Sequence, residues 1–242
     1  RQPLSTLLSV ILFSALSLQN VYSQPLLVEN FDYPAGTLLT TVGWTAHSGG
    51  GSQSIDIVVP GLSFNGYALS GIGGAANVDD TGEDVNKTFT AQTSGTLYVA
   101  CMIKVDAFAS GYFLHLGQTN MGTTYFARLF LSAGTDDAFK FGLSKTTEAV
   151  TNSTTEYSLG STYLAVIKYE IVDGASNDLV SLYIIDGTIP ETEPTVATIP
   201  SFTTTATDYS PGSIGLRQFN SVQQITVCLL YTSDAADEED SV

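Results

Sequence analysis

Residues 97–106 read LYVACMIKVD. Leu97, Val99, Cys101, Ile103 and Val105 alternate with Tyr98, Ala100, Met102, Lys104 and Asp106. Successive side chains on a strand point to opposite faces, so a period of two describes a strand with two distinguishable faces. The pattern recurs outward from this stretch. Runs at 112–118, 124–132, 139–144, 163–172, 179–185 and 213–219 carry the same β-branched and aromatic residues, which suit a pleated, half-buried surface. The runs at 85–92 and 53–59 are weaker versions. Turn chemistry separates them: Ser132 to Asp137, Val172 to Asp178, and Asp186-Gly187. Asp-Gly supplies a residue that accepts positive φ, as tight hairpins require. Two longer irregular stretches remain, a Gly/Ser-rich one at 48–54 and one at 187–200 with Pro190, Pro194 and Pro200. No segment after residue 23 has the period of an amphipathic helix. Roughly ten short strands with loops between them predict an all-β antiparallel sandwich or barrel. No internal repeat or composition break marks a second domain.

Composition agrees. Of 242 residues, 43% are hydrophobic, enough for a sizeable core, and only 13% are charged. The charged share is about half the usual one. The net charge is -16, from 24 acids against 8 bases. A domain this acidic does not bind nucleic acid by neutralising phosphates, and anionic membranes repel it. Solubility outside a cell, and the binding of cations or neutral sugars, fit the charge.

The two ends read differently from the middle. Leu4 to Leu18, LSTLLSVILFSALSL, is an uncharged apolar run of signal-peptide length, too short to span a bilayer comfortably. Arg1 precedes it, and Val21-Tyr22-Ser23 places cleavage before Gln24. Residues 1–23 are therefore read as a signal peptide, which predicts a secreted or outer-surface protein with no membrane insertion after cleavage. Residues 221–227 look like the start of a strand. Residues 228–238, CLLYTSDAADE, then resemble the translation of a transposase sequencing adapter. On that reading the domain spans 24–227, its last strand is truncated, and 228–242 is a non-native tail. Without the tail's five acids and Arg1 the charge is about -12. Cys101, in an apolar strand, reads as a buried thiol; a disulfide to Cys228 is the alternative for an exported chain.

No motif announces a catalytic site. There is no Gly-x-Ser-x-Gly, no Cys-x-x-Cys, no His-x-Glu-x-x-His and no P-loop. The Glu-x-Asp-x-x-Glu strand of retaining glycosidases is absent too. Asp79-Asp80, Glu83-Asp84 and Asp136-Asp137 sit in turn regions and read as solvated carboxylates. The histidines are His47 and His115, and strict alternation puts His115 on the face of Phe113. The cations are less random. Arg128, Lys168 and Arg217 fall mid-strand, and Lys168 shares a face with Glu170. If their strands form one concave sheet, Arg128, Lys168, Glu170 and Arg217 line a groove that His115 joins. Such a groove would hydrogen-bond sugar hydroxyls or carboxylates, with Tyr112 or Trp44 as a stacking platform. The plain alternative is a solvated face with weak ion pairs.

Five stretches carry a resemblance: Val28-Glu-Asn-Phe-Asp-Tyr-Pro-Ala-Gly36, Gly43-Trp-Thr-Ala-His-Ser48, Gly82-Glu-Asp-Val-Asn86, His115-Leu-Gly117 and Ser213-Ile-Gly-Leu-Arg-Gln218. Together they resemble concanavalin A-like, or laminin-G-like, jelly-roll modules of secreted Bacteroidetes-type surface proteins, cargo of type IX secretion. The resemblance covers nearly all of 25–227 and implies a jelly-roll sandwich joined to further domains of a parent chain. It specifies the module and no activity. Such modules often hold Ca²⁺ between their first and last strands, which would make Glu29 a metal ligand and put its partner after Val227. The expected function is a non-catalytic extracellular module binding a glycan or cell-surface ligand. A polysaccharide-active hydrolase or lyase, and a structural spacer without ligand, are the alternatives.

Overall fold

A computed structural model describes residues 25–234. The proposed signal peptide and its cleavage point, and residues 235–242 of the tail, lie outside the described residues. Sixteen strands and one 3-10 turn, Leu39–Thr41, follow one another: β1 (Pro25–Glu29), β2 (Thr45–Ser48), β3 (Asp56–Val58), β4 (Ala75–Val78), β5 (Asp84–Thr88), β6 (Gly95–Ala107), β7 (Gly111–Gly117), β8 (Phe126–Ala133), β9 (Ala138–Ser144), β10 (Thr151–Asn152), β11 (Tyr157–Ser158), β12 (Thr162–Ile171), β13 (Leu179–Ile185), β14 (Ile199–Phe202), β15 (Ser213–Leu216) and β16 (Gln224–Asp234). They build two eight-stranded antiparallel sheets, the sandwich that the alternation predicts. Sheet A runs β14-β13-β12-β6-β16-β4-β3, with β1 also on β16. Sheet B runs β10-β9-β8-β7-β15-β5-β2, with β11 also on β9.

The core lies between the sheets. Leu97, Val99, Cys101, Ile103 and Val105 of β6 all enter it, the apolar half of the alternation that defines that strand. Phe113, Phe126, Phe139 and Phe141 meet them from sheet B. Each is fully buried and stabilises the fold by about 1.5–3 kcal/mol relative to an exposed ring.

The two outer faces are unequal. Sheet A carries a second apolar cluster on its outside, where Met102, Leu164, Cys228 and Leu229 meet Phe64. Residues 60–73 and the segment around Ile189 cover it. Glu193 straps that segment down by accepting from Tyr98 Oη (2.6 Å), Tyr183 Oη (2.5 Å) and Lys168 Nζ (3.1 Å). Sheet A thus packs against the core on one side and, over its second cluster, against these segments on the other.

Residues 228–234 continue β16 past Val227. The strand bulges between Cys228 and Tyr231, where Leu229 has φ 50, and then pairs with β6 and β1. The segment read as a foreign tail therefore supplies half of a central strand, and Leu230 is buried in the core. Cys101 lies in the inner cluster and Cys228 in the outer one, so the two thiols are free. Burial raises the pKa of both thiols, that of Cys101 strongly.

Candidate functional site

Two bulges shape the outer face of sheet B. In β7 the register shifts between Tyr112 and Leu114, and in β8 it shifts around Ala127, whose φ is 45. A bulge adds one residue and moves the following side chains to the opposite face. Phe113 therefore enters the core while both Tyr112 and His115 face outward. This corrects the strict alternation, which puts His115 beside Phe113. In β8 the bulge sends Phe126 inward beside Ala127 and so leaves Tyr125 on the outer face with Arg128, which lies over Tyr112 and Phe130.

The outward side chains form one connected cluster. The His115 ring packs on Tyr125 at 4.3 Å between centroids, edge-on to His47 at 5.4 Å and edge-on to Tyr112 at 5.8 Å. Two guanidiniums sit on Tyr112: Arg217 at 4.1 Å from the ring centre and Arg128 at 5.2 Å. Arg128 Nε donates to Ser144 Oγ (3.0 Å), and Arg217 Nη1 donates to the Tyr112 carbonyl (3.4 Å). From Tyr112, Tyr125 and Arg128 a cleft of about 370 Å³ opens, walled by Thr123, Thr146 and Thr207. Threonine hydroxyls both donate and accept, so this wall suits a polyol.

Burial sets the charges. His115 is fully buried, and burial pushes its pKa down to about 3. Its Nδ1–H donates to the Leu116 carbonyl (3.2 Å), because a carbonyl only accepts; Nε2 is then a bare acceptor without a partner. Burial also lowers the pKa of His47. At neutral pH both rings are uncharged. Asp84 borders the cluster with its Oδ1 accepting from the Gln218 N–H (2.9 Å); burial raises its pKa to about 6, against the opposing pull of Arg217.

Other residues read from the sequence lie elsewhere. Lys168 and Glu170 are 3.4 Å apart on β12, in sheet A, where Lys168 helps to hold the Glu193 strap. The single groove of Arg128, Lys168, Glu170 and Arg217 is thus divided: β12 pairs with β6 and β13, whereas Arg128 and Arg217 belong to sheet B. Trp44 is not a platform. It is buried, stacked on Phe31 at 5.9 Å, and its Nε1 donates to Glu29 Oε2 (3.2 Å). Glu29 is buried as well, and its oxygens are taken by the Phe31 N–H (3.0 Å), Trp44 and the Lys87 ammonium. Those donors repel a metal ion, so Glu29 does not fit the role of a Ca²⁺ ligand. Among the described residues no group of three metal-ligating side chains gathers elsewhere.

Tyr125 and His47 are the members that the sequence reading passed over as site residues. The signal for Tyr125 was present: an aromatic three residues before a mid-strand arginine, in the run 124–132. Only the bulge at Ala127 puts the two on one face.

No protein-family model matches the sequence, and comparison with curated proteins finds no match. Solved structures do resemble the fold. The globular domain of Trypanosoma cruzi calreticulin aligns over 89% of this chain and 90% of its own length, with a TM-score of 0.51 and 11% identity. The CBM2 module of the evolved Dit protein of Lactobacillus casei BL23 phage J-1 aligns over 88% and 97%, with a TM-score of 0.46 and 14% identity. The carbohydrate recognition domain of Emp46p in its metal-free form aligns over 88% and 96%, with a TM-score of 0.46 and 11% identity. The calreticulin likeness is one of fold: an all-β, two-sheet sandwich.

Proposed function

We propose that this chain is a non-catalytic carbohydrate-binding module of an exported protein, and that its ligand lies across the outer face of sheet B. One observation carries the proposal: the uncovered sheet face presents aromatic rings, guanidiniums and a hydroxyl-lined cleft as one connected surface. Sugars are bound by such sets, with rings against their C–H faces and polar groups fixing the hydroxyls. Tyr125 is the platform, since it packs on the His115 ring and borders the cleft. The non-catalytic reading is supported by the depth of His115, whose ring lies under Tyr125 with no exposed surface. Export rests on the apolar run from Leu4 to Leu18, and membership of a larger surface protein on the resemblance of 25–227 to secreted modules.

A glycan array with the purified chain is the test. Binding that Tyr125→Ala reduces about tenfold or more is expected, in line with loss of a buried aromatic anchor. An array without signal would favour the spacer. Reducing ends or unsaturated products released from a bound polysaccharide would favour the enzyme.

A further inference from the structure

The chain has 8 lysines and arginines against 24 acids. Arg1 lies outside the described residues. Of the other seven, all five lysines are ion-paired: Lys87 with Glu29, Lys104 with Asp106, Lys140 with Glu156, Lys145 with Asp208, and Lys168 with Glu170 and Glu193. The two arginines are the exceptions. Among the described residues neither Arg128 nor Arg217 has an ion-pair partner, and they share one ring, Tyr112.

This placement runs against the charge balance. With three acids for every base, a guanidinium placed at random finds a carboxylate easily. Asp84 acts on Arg217 and Glu148 acts on Arg128 through space, yet neither closes to an ion pair. Both arginines are half-buried, so part of their hydration is already lost. Each guanidinium makes one hydrogen bond, to Ser144 or to the Tyr112 carbonyl, and lies over a second ring, Phe130 for Arg128 and Phe219 for Arg217; among the described residues most of its five N–H donors have no protein acceptor. Two oriented, partly dehydrated guanidiniums beside one aromatic ring hold N–H donors that an anion can take up. A guanidinium fork matches a planar carboxylate through two parallel hydrogen bonds.

We infer that the ligand is a uronate-containing polysaccharide, whose sugar carboxylate is held by Arg128 and Arg217 while its rings lie over Tyr125 and along the threonine-lined cleft. The inference rests on the carbohydrate-binding reading and narrows it. Overall charge points to neutral sugars or cations; the local charge at this face points the other way, and contact range decides, because exposed charges beyond about 8 Å are screened at physiological salt.

The experiment is calorimetric titration of the purified chain with three ligands: an oligogalacturonate, the same oligosaccharide with its carboxyls reduced to alcohols, and dextran sulfate. The oligogalacturonate is expected to bind, and its reduced form to bind at least about tenfold more weakly, as loss of a charge-assisted pair implies. Arg128→Gln and Arg217→Gln are each expected to lower affinity for the uronate about tenfold and to lower affinity for the reduced form much less. Arg217→Lys keeps the charge but loses the fork, and is expected to fall between. Equal binding of the acid and reduced forms overturns the uronate assignment and leaves the carbohydrate reading standing. Binding of dextran sulfate alone overturns the carboxylate in favour of sulfate. Failure of all three ligands, with an empty glycan array, overturns both readings. Should an arginine variant fail to fold, the acid and reduced forms compared on the unaltered chain still decide.

Discussion

Gly215 shows how one atom sets the site. It lies on β15 between Asn86 of β5 and His115 of β7, and a Cβ there would come within 2.4 Å of the His115 ring. Gly215→Ala is therefore expected to displace the imidazole, lowering stability by about 1–3 kcal/mol in chemical denaturation and loosening Tyr125 above it. His115 itself gives a pH signature. Its folded pKa of about 3 lies below the ordinary 6.5, so the unfolded chain takes up the proton first on acidification. Its contribution is complete above pH 6.5 and is lost as the pH falls toward 3. By pH 4 about 3 kcal/mol of it is lost, and His115→Gln should flatten that part of the curve of Tm against pH. Asp84 works in the opposite sense. Its folded pKa of about 6 lies above the ordinary 3.8, so its contribution is full below pH 3.8 and is lost as the pH rises through 6. Asp84→Asn is expected to be about 1–3 kcal/mol more stable than the parent at pH 7.5, by denaturant melts. Sequence made Arg128, Arg217, Tyr112 and His115 visible as candidates, because a base or a lone histidine within a β run stands out. It could not show that they meet. That depends on two bulges, and a bulge leaves no fixed residue signature at Ala127 or Phe113.

At the scale of elements, the long strands were legible and the short ones less so. The run 179–185 coincides with β13 and 97–106 lies wholly within β6, the first being apolar but for Ser181 and Tyr183 and the second alternating along its inner face. β4 was hidden because Ala75 and Ala76 follow a glycine-rich loop and look like its continuation. The second half of β16 was hidden for another reason: its residues resemble a sequence of foreign origin. The structure makes a clear prediction there. A chain ending at Val227 loses the pairing of Tyr231–Asp234 with β6 and of Leu230–Ser233 with β1. Its melting transition, followed by circular dichroism, should be lost or strongly broadened. Glu29 joins the two sheets, linking β1 to Trp44 and to Lys87 of β5. Glu29→Ala strands a half-buried ammonium and an indole N–H, at an expected cost of about 3–5 kcal/mol. Millimolar Ca²⁺ is expected to leave the Tm of the parent chain unchanged, because nitrogen donors fill the carboxylate.

For the whole molecule, the architecture was readable because alternation and turn chemistry agree along the chain. The distribution of ligand surface was not, because it follows from which sheet face the loops cover. Residues 60–73 and the Glu193 strap pack on one side, and the proposed ligand face is the other. β16 carries a further consequence. It lies between β6 on one flank and β4 and β1 on the other, although those partners precede it by more than a hundred residues. Sheet A cannot be zipped from its beginning: β6 and β1 must wait for a filler strand made more than a hundred residues later. Long-range pairing of this kind makes folding slow. A ribosome-held chain lacking residues 224–234 should stay protease-sensitive however much of β1 to β15 has emerged, and become resistant in a single step once that last stretch clears the exit tunnel.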